Sequence, residues 1–353
     1  MHKSTLSRRA LLKASAALPF AAYATRVMAA APPAEAITPA LIAAAKKEGS
    51  VVWYTSADLR VAEAIGKTFE RKYGVTTRVE RAGAERLFTR IGQEYAANIY
   101  TVDACNTGDL AMFILWKQQN LLAPYVPEDV AKNLTAEYRD ADGMHAIARS
   151  SLCVAAYNPE LVKKDDAPKS FADMLEPKWS GKMVKASPSY SGTIITSTYQ
   201  LVKHLGWPYI EKLAKQKILQ VQSATDTPNK VVLGERPVMF DGNEYNVLIA
   251  KEGGKPIEPI YTSEGSPMIA MPSAIFARAP HPSAARLFQS FLFTPEAQQL
   301  FVDIGGLRSV HAQVKDKPGR TPLSAIKIMN TDPEGMVSQM EELKTRYSQY
   351  FGV

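Results

Sequence analysis

Val51-Val52-Trp53-Tyr54-Thr55, continued by Ser56-Ala57-Asp58 and by a segment carrying Ala62, Ile65, Phe69 and Tyr73 ahead of Gly74, decides the fold class. The first five residues are an apolar, β-branched and aromatic run of strand length. Asp58 is a helix N-cap residue type, the four apolar residues beyond it fall on one helical face, and Gly74 is a helix stop. Val75-Thr76-Thr77-Arg78-Val79 reads as a second strand, and Leu87, Ile91 and Tyr95 mark the next helix. A strand ending at Cys105 and a helix from Asp109 to Gln119 repeat the unit, and Thr38-Pro39 opens an earlier helix that ends near Gly49. This alternation predicts an α/β fold, a largely parallel sheet covered by helices. Ligands of such sheets sit at the carboxyl ends of strands. Here those ends are Ser56-Ala57-Asp58 and Asn106-Thr107-Gly108-Asp109, small polar turns that lead into helix N-termini.

Working outward, Ala146 to Tyr157 reads as a long strand crossing between two lobes. A second α/β set follows, with the loop Lys185 to Thr193 opening a helix, strands at Ile218–Val221 and Pro237–Phe240, and a helix from Glu244 to Lys251. Ile257 to Pro280 is again extended and carries the chain back. Two crossings make the lobes discontinuous, 36–150 plus 262–310 for lobe 1 and 151–261 plus 311–353 for lobe 2.

The other direction leads to Ser7-Arg8-Arg9-Ala10-Leu11-Leu12-Lys13, an apolar run from Ala14 to Ala24, and Val27-Met28-Ala29. That layout is a twin-arginine export signal over residues 1–29, which predicts a periplasmic protein. The leader holds five cations and no acid, so the formal charge of +7 falls to about +2 without it. The basic balance is therefore no sign of nucleic-acid binding. Cys105 and Cys153 are either a disulfide of an oxidising compartment or two buried thiols. No CxxC, HExxH, GxSxG or Walker loop is present, which leaves no zinc site, nucleophile elbow or nucleotide cradle.

Three segments carry a family resemblance. They are Val51 to Ser56 with the helix ending Phe69-Glu70-Arg71-Lys72-Tyr73-Gly74-Val75, then Met174-Leu175-Glu176-Pro177-Lys178-Trp179-Ser180-Gly181-Lys182, then Ala279-Pro280-His281-Pro282 continuing to Phe293-Thr294-Pro295-Glu296-Ala297-Gln298. In this order they resemble the periplasmic solute-binding proteins of ABC importers, specifically the ferric-iron-binding branch and its relatives. The resemblance implies a type II two-lobed periplasmic-binding-protein fold that closes on its ligand about a hinge with two main strand crossovers. It implies a monomer without catalysis or resident cofactor that hands its cargo to an ABC permease. A ligand-sensing receptor subunit, an extracytoplasmic enzyme and a polyamine or thiamine binder are the other readings.

Ser191-Gly192-Thr193 at a helix start presents free N–H groups and the positive dipole end, which suits an anion. Plain capping by Ser191 is the competing account. Ser56 and Thr107 would complete a polar cleft from the opposite lobe. Two cargoes stay open. Ferric iron with a bound anion would draw on Asp58, Glu244 and Tyr245, within a wider oxygen set that adds Asp109 and Tyr190. Against this, the segment Asp241-Gly242-Asn243-Glu244-Tyr245-Asn246 has a single tyrosine where the resemblance implies an adjacent pair. A small organic anion such as a phosphonate, sugar phosphate or carboxylate would instead use Ser191-Gly192-Thr193 for its acid group. Asp241 or Glu244 would then meet an amine, Trp53, Tyr54, Tyr190 or Tyr245 the carbon part, and Arg60, Arg81 or Arg86 further anion oxygens.

Overall fold

Strand and helix alternate from the start of the computed structural model, which describes residues 30–329 and 332–353. The expected export leader lies outside the described residues. The order is α1 (Pro39–Glu48), β1 (Ser50–Thr55), α2 (Leu59–Tyr73), β2 (Thr76–Arg81), α3 (Ala84–Ala96), β3 (Ala104–Asn106) and α4 (Leu110–Gln118). Capping sets the boundaries. Asp58 accepts from the Arg60 N–H to start α2, and Gly74 ends it at φ 67°, a left-handed turn that glycine adopts without strain. The apolar face of α2 buries Ala62, Ile65, Phe69 and Tyr73.

After β4 (Leu122–Ala123) and α5 (Glu128–Asn133) comes β5 (Ala146–Tyr157), the crossing strand expected from the sequence. The second set follows as β6 (Met183–Ala186), α6 (Gly192–Leu205), α7 (Trp207–Ala214), β7 (Leu219–Val221), α8 (Thr227–Val232), β8 (Val238–Asn243) and α9 (Glu244–Glu252). The chain returns through β9 (Glu258–Ile260) and β10 (Ser266–Phe276) to α10 (Pro282–Leu292) and α11 (Pro295–Asp303), then closes with β11 (Ile328–Met329) and α12 (Pro333–Phe351).

The main strand order is β2-β1-β3-β10-β5-β8-β6-β7. β1 runs parallel to β2 and β3, and β6 runs parallel to β7 and β8. The antiparallel pair β5 and β10 joins these two parallel sets, which are called the first and second halves below. One strand thus serves both halves: β5 pairs with β10 through Leu152, and with β8 from Cys153 onward. The β5–β10 register slips between Met271 and Pro272, directly beside the pair Met271–Arg149. Such bulges re-aim side chains near functional sites.

Strand periodicity divides the aromatic residues of β1. Trp53 points to the cluster that holds Phe69, Phe288 and Phe291, whereas Tyr54 joins Phe113, Trp116 and Phe276 on the opposite face. Cys105 and Cys153 are separate, buried, free thiols. Among the described residues, no helix is long and apolar enough to cross a membrane.

Candidate ligand-binding cleft

The carboxyl ends of six strands meet in one pocket. Ser56 follows β1, Arg81 ends β2 and Gly108 follows β3 in the first half. Tyr190 to Thr193 follow β6, Ser223 to Thr225 follow β7, and Asn243 ends β8 with Tyr245 just beyond it. Arg149 and Met271 reach in from the crossing strands β5 and β10. The empty volume is about 480 Å³, part of it open to solvent.

Three helix N-termini converge here. Gly192 opens α6, and a Cβ placed on it would stand 2.9 Å from Ala84 Cβ of α3 and 3.1 Å from Asp109 Cβ at the cap of α4. The two halves therefore touch across the cleft, and only glycine permits that approach. Ser191 stands at the N-cap of α6 but makes no capping hydrogen bond. Its hydroxyl caps no N–H of α6, so side-chain capping does not account for Ser191-Gly192-Thr193. Capping does account for Asp58 and Asp109, which accept from Arg60 N–H at 3.0 Å and Ala111 N–H at 2.9 Å.

Arg149 is the strongest electrostatic feature. Its side chain is 2% exposed in a strand whose twelve residues are all buried. Nε donates to Asn106 Oδ1 at 2.6 Å and Nη2 to Ser56 Oγ at 3.2 Å, and no carboxylate pairs with it among the described residues. Burial pulls this guanidinium down to about 10, the cost of a charge with no counter-ion. Arg81 adds a second guanidinium at the rim, held by its Nε on Ala57 O at 3.3 Å.

The sequence-predicted residues divide sharply. Ser56, Tyr190, Ser191, Gly192, Thr193 and Tyr245 line the pocket. Tyr54 does not: it is buried on a sheet face, and its hydroxyl donates to Glu94 at 2.9 Å. Trp53 is likewise core. Asp241 is committed to a buried pair with Lys185, at 2.5 Å. Glu244 is held by Arg308, whose Nε and Nη2 each donate at 2.8 Å, and by the Tyr261 hydroxyl at 2.7 Å. Both Glu244 oxygens are taken, Asp241 keeps Oδ1 buried without a partner beside its Lys185 pair, and neither acid lines the pocket. Asp109 is fully buried, and burial together with Glu85 raises its carboxyl to about 7. Thr107 is buried behind the pocket, its Oγ1 without a partner. Asp58 is exposed at the start of α2, outside the pocket lining. Of the candidate arginines, Arg81 reaches the cleft while Arg60 donates to Ile304 O at 3.2 Å on the surface.

Sequence reasoning missed Arg149, Asn243, Ser223 and Thr225. Arg149 had a signal: one full charge inside Ala146-Ile147-Ala148-Arg149-Ser150-Ser151-Leu152-Cys153-Val154, a run otherwise small or apolar. A lone charge in a buried strand needs a partner or a ligand.

Comparison with known proteins places the fold and the family. A probable ABC transporter periplasmic-binding protein of Sinorhizobium fredii is 25% identical over 234 residues, a stretch spanning 64% of this chain and 64% of that relative's length. The periplasmic binding protein AfuA of Actinobacillus pleuropneumoniae, solved with fructose-6-phosphate bound, superposes with a TM-score of 0.79 at 23% identity, over 86% of this chain and 99% of that one. Iron-bound HitA of Pseudomonas aeruginosa gives 0.76 at 22%, over 84% and 99%. Both share the two-lobed type II fold. The family model for bacterial extracellular solute-binding proteins matches residues 51–305, most of the chain, and the protein belongs to that family.

Proposed function

We propose that this protein is the extracytoplasmic capture component of an ABC importer, exported by its twin-arginine leader, and that its cargo is a phosphorylated small organic molecule with a neutral, hydroxylated body. It carries no catalysis and passes the loaded, closed form to a membrane permease. The observation behind the cargo is Arg149, a buried cation whose counter-charge must come from the ligand. Around it stand the open N-terminus of α6, the free Ser191 hydroxyl and Arg81, all donors suited to a phosphoryl group. In the same pocket, on the β7 and β8 ends of the second half, Asn243 Oδ1 is a buried acceptor without a partner, and Ser223 and Thr225 are neutral. These groups suit a ligand hydroxyl and offer no carboxylate to an ammonium group. AfuA, with a similar fold, was solved with a sugar phosphate.

Ferric cargo fits the donor set poorly. Fe³⁺ wants several anionic oxygens, yet Asp241 and Glu244 sit in internal ion pairs outside the pocket lining, and two guanidiniums face the site. Burial raises the Tyr245 phenol, with Arg149 opposing, so a phenolate there is disfavoured. Thermal unfolding of the metal-stripped protein with a hexose phosphate, inorganic phosphate, aminoethylphosphonate and ferric citrate tests this. A hexose phosphate at about 100 times its Kd is expected to add roughly 2.7 kcal/mol of stability. Inorganic phosphate should bind more weakly, and the amine-bearing phosphonate worse than the sugar phosphate. Stabilisation by iron alone, with a colour that Tyr245→Phe abolishes, would overturn the reading.

A further inference from the structure

The C-terminal helix runs along the seam between the two halves and is fastened to both. On the second half, its N-cap Asp332 accepts from the Tyr199 hydroxyl at 3.0 Å and from Lys203 Nζ at 2.6 Å, both on α6. Further along, Tyr347 is fully buried over Lys185 and donates its hydroxyl to Gln220 at 2.9 Å, while the Arg346 guanidinium lies 4.0 Å from the Trp207 ring centre. On the first half, Met336, Met340 and Leu343 share one apolar cluster with Ala111 of α4, and with Ile195 and Tyr199 of α6. Lys344 Nζ then reaches Glu85 Oε2 at 3.3 Å.

Glu85 is the residue after Ala84, against which Gly192 closes the pocket. Its other carboxylate oxygen is buried without a partner, and Asp109 at the cap of α4 is close enough to repel it. Lys344 is the cation that offsets both acids at the point where the three helix N-termini meet. Moving Ala84 and Asp109 away from Gly192 while α12 stays anchored to α6 must break the Lys344–Glu85 contact and pull Ala111 from the methionine face.

We propose that α12 is a clasp that holds the cleft closed, with Lys344 a positioning residue for the α3 and α4 N-termini, so that a helix outside the pocket sets ligand affinity. This rests on the reading of the pocket as a closing solute site. The closed form would gain free energy from α12 in addition to the ligand, which shifts the open–closed balance before any ligand arrives.

The test places spin labels at Lys67→Cys on α2 and Lys215→Cys beyond α7, both side chains largely exposed, and measures the distance distribution without ligand. Lys344→Ala, and Lys344→Gln as a milder variant, are expected to enlarge the wide-separation population. They should also weaken hexose phosphate binding about three- to tenfold, the scale of a partly buried pair and its shift of a two-state balance. The double reversal Glu85→Lys with Lys344→Glu should restore both readouts, which loss of fold would not allow. Unchanged distances in both Lys344 variants, or no recovery in the reversed pair, would overturn the clasp. The label arm needs no ligand, so a wild-type protein that ignores hexose phosphate would count against the cargo assignment and leave the clasp decided by distance.

Discussion

Replacing Arg149 by methionine separates a binding charge from a structural one, because the two roles give opposite signs. In the ligand-free protein Arg149 is a buried cation with no carboxylate among the described residues. Desolvating such a charge costs several kcal/mol even after relaxation. Methionine removes that penalty and keeps an unbranched side chain in the strand. The substitution also orphans Asn106 Oδ1, which now accepts from Arg149 Nε at 2.6 Å, at a cost of about 1–3 kcal/mol. Asn106 Nδ2 keeps its bonds to Met271 O and Pro272 O, so the β3–β10 junction persists. The two terms nearly cancel, and the ligand-free Tm should move by no more than about 6 °C, at ~2–4 °C per kcal/mol. Binding has no such cancellation. Removing one partner of a buried, hydrogen-bonded charge pair costs about 2–5 kcal/mol, roughly 30-fold to a few thousand-fold in Kd. Isothermal titration with a hexose phosphate, alongside unfolding scans without it, reads both numbers. An Arg149→Met protein that binds as tightly as the wild type would refute the counter-charge assignment. So would a ligand-free Tm that collapses by 15 °C or more, on the scale just used, since that would make Arg149 a pillar of the sheet.

Glu244→Gln should behave in the reverse manner. It leaves Arg308 buried and underpaired, costs about 3–5 kcal/mol of stability, and changes hexose phosphate affinity little; a large affinity loss at unchanged Tm would return Glu244 to the binding set. His145 governs acid sensitivity. Burial depresses it to about 4, below the ordinary value near 6.5, and its Nδ1 is buried without a partner. Its neutral form therefore supports the fold fully above about pH 6.5, and that support, up to ~3 kcal/mol, is lost as pH falls toward 4. Tm measured at pH 7 and pH 4.5 should differ less in His145→Gln than in the wild type, and an equal difference would assign the acid lability elsewhere.

The local pattern of this chain carries much of the architecture. Apolar runs of strand length, cap residues such as Thr38 and Asp58, and stops such as Gly49 and Gly74 are read within a few residues of where they act, and they fall at the ends of α1 and α2 in the structure. The crossing strand is equally legible because one unbroken extended run spans Ala146 to Tyr157. Ser191-Gly192-Thr193 is legible as a candidate anion site because a helix start creates the donors locally. What no local pattern shows is which charged side chains remain free. Asp241 finds Lys185 from 56 positions away, and Glu244 finds Arg308 from 64, so acids that a linear reading offers to an amine or a metal are neutralised by partners brought in through the sheet. Tyr54 is one residue from the strand end that faces the cleft, yet strand alternation turns it into the core. Arg149 is the converse, a residue inside an apolar strand that the β5–β10 crossing and its bulge deliver to the cleft with no acid paired to it among the described residues. Hydrogen-bond caps and periodicity act over one to four residues and belong to the sequence by itself. Charge compensation in a low-dielectric interior acts between whichever groups the fold brings together, so only the tertiary structure decided that this cleft is left cationic.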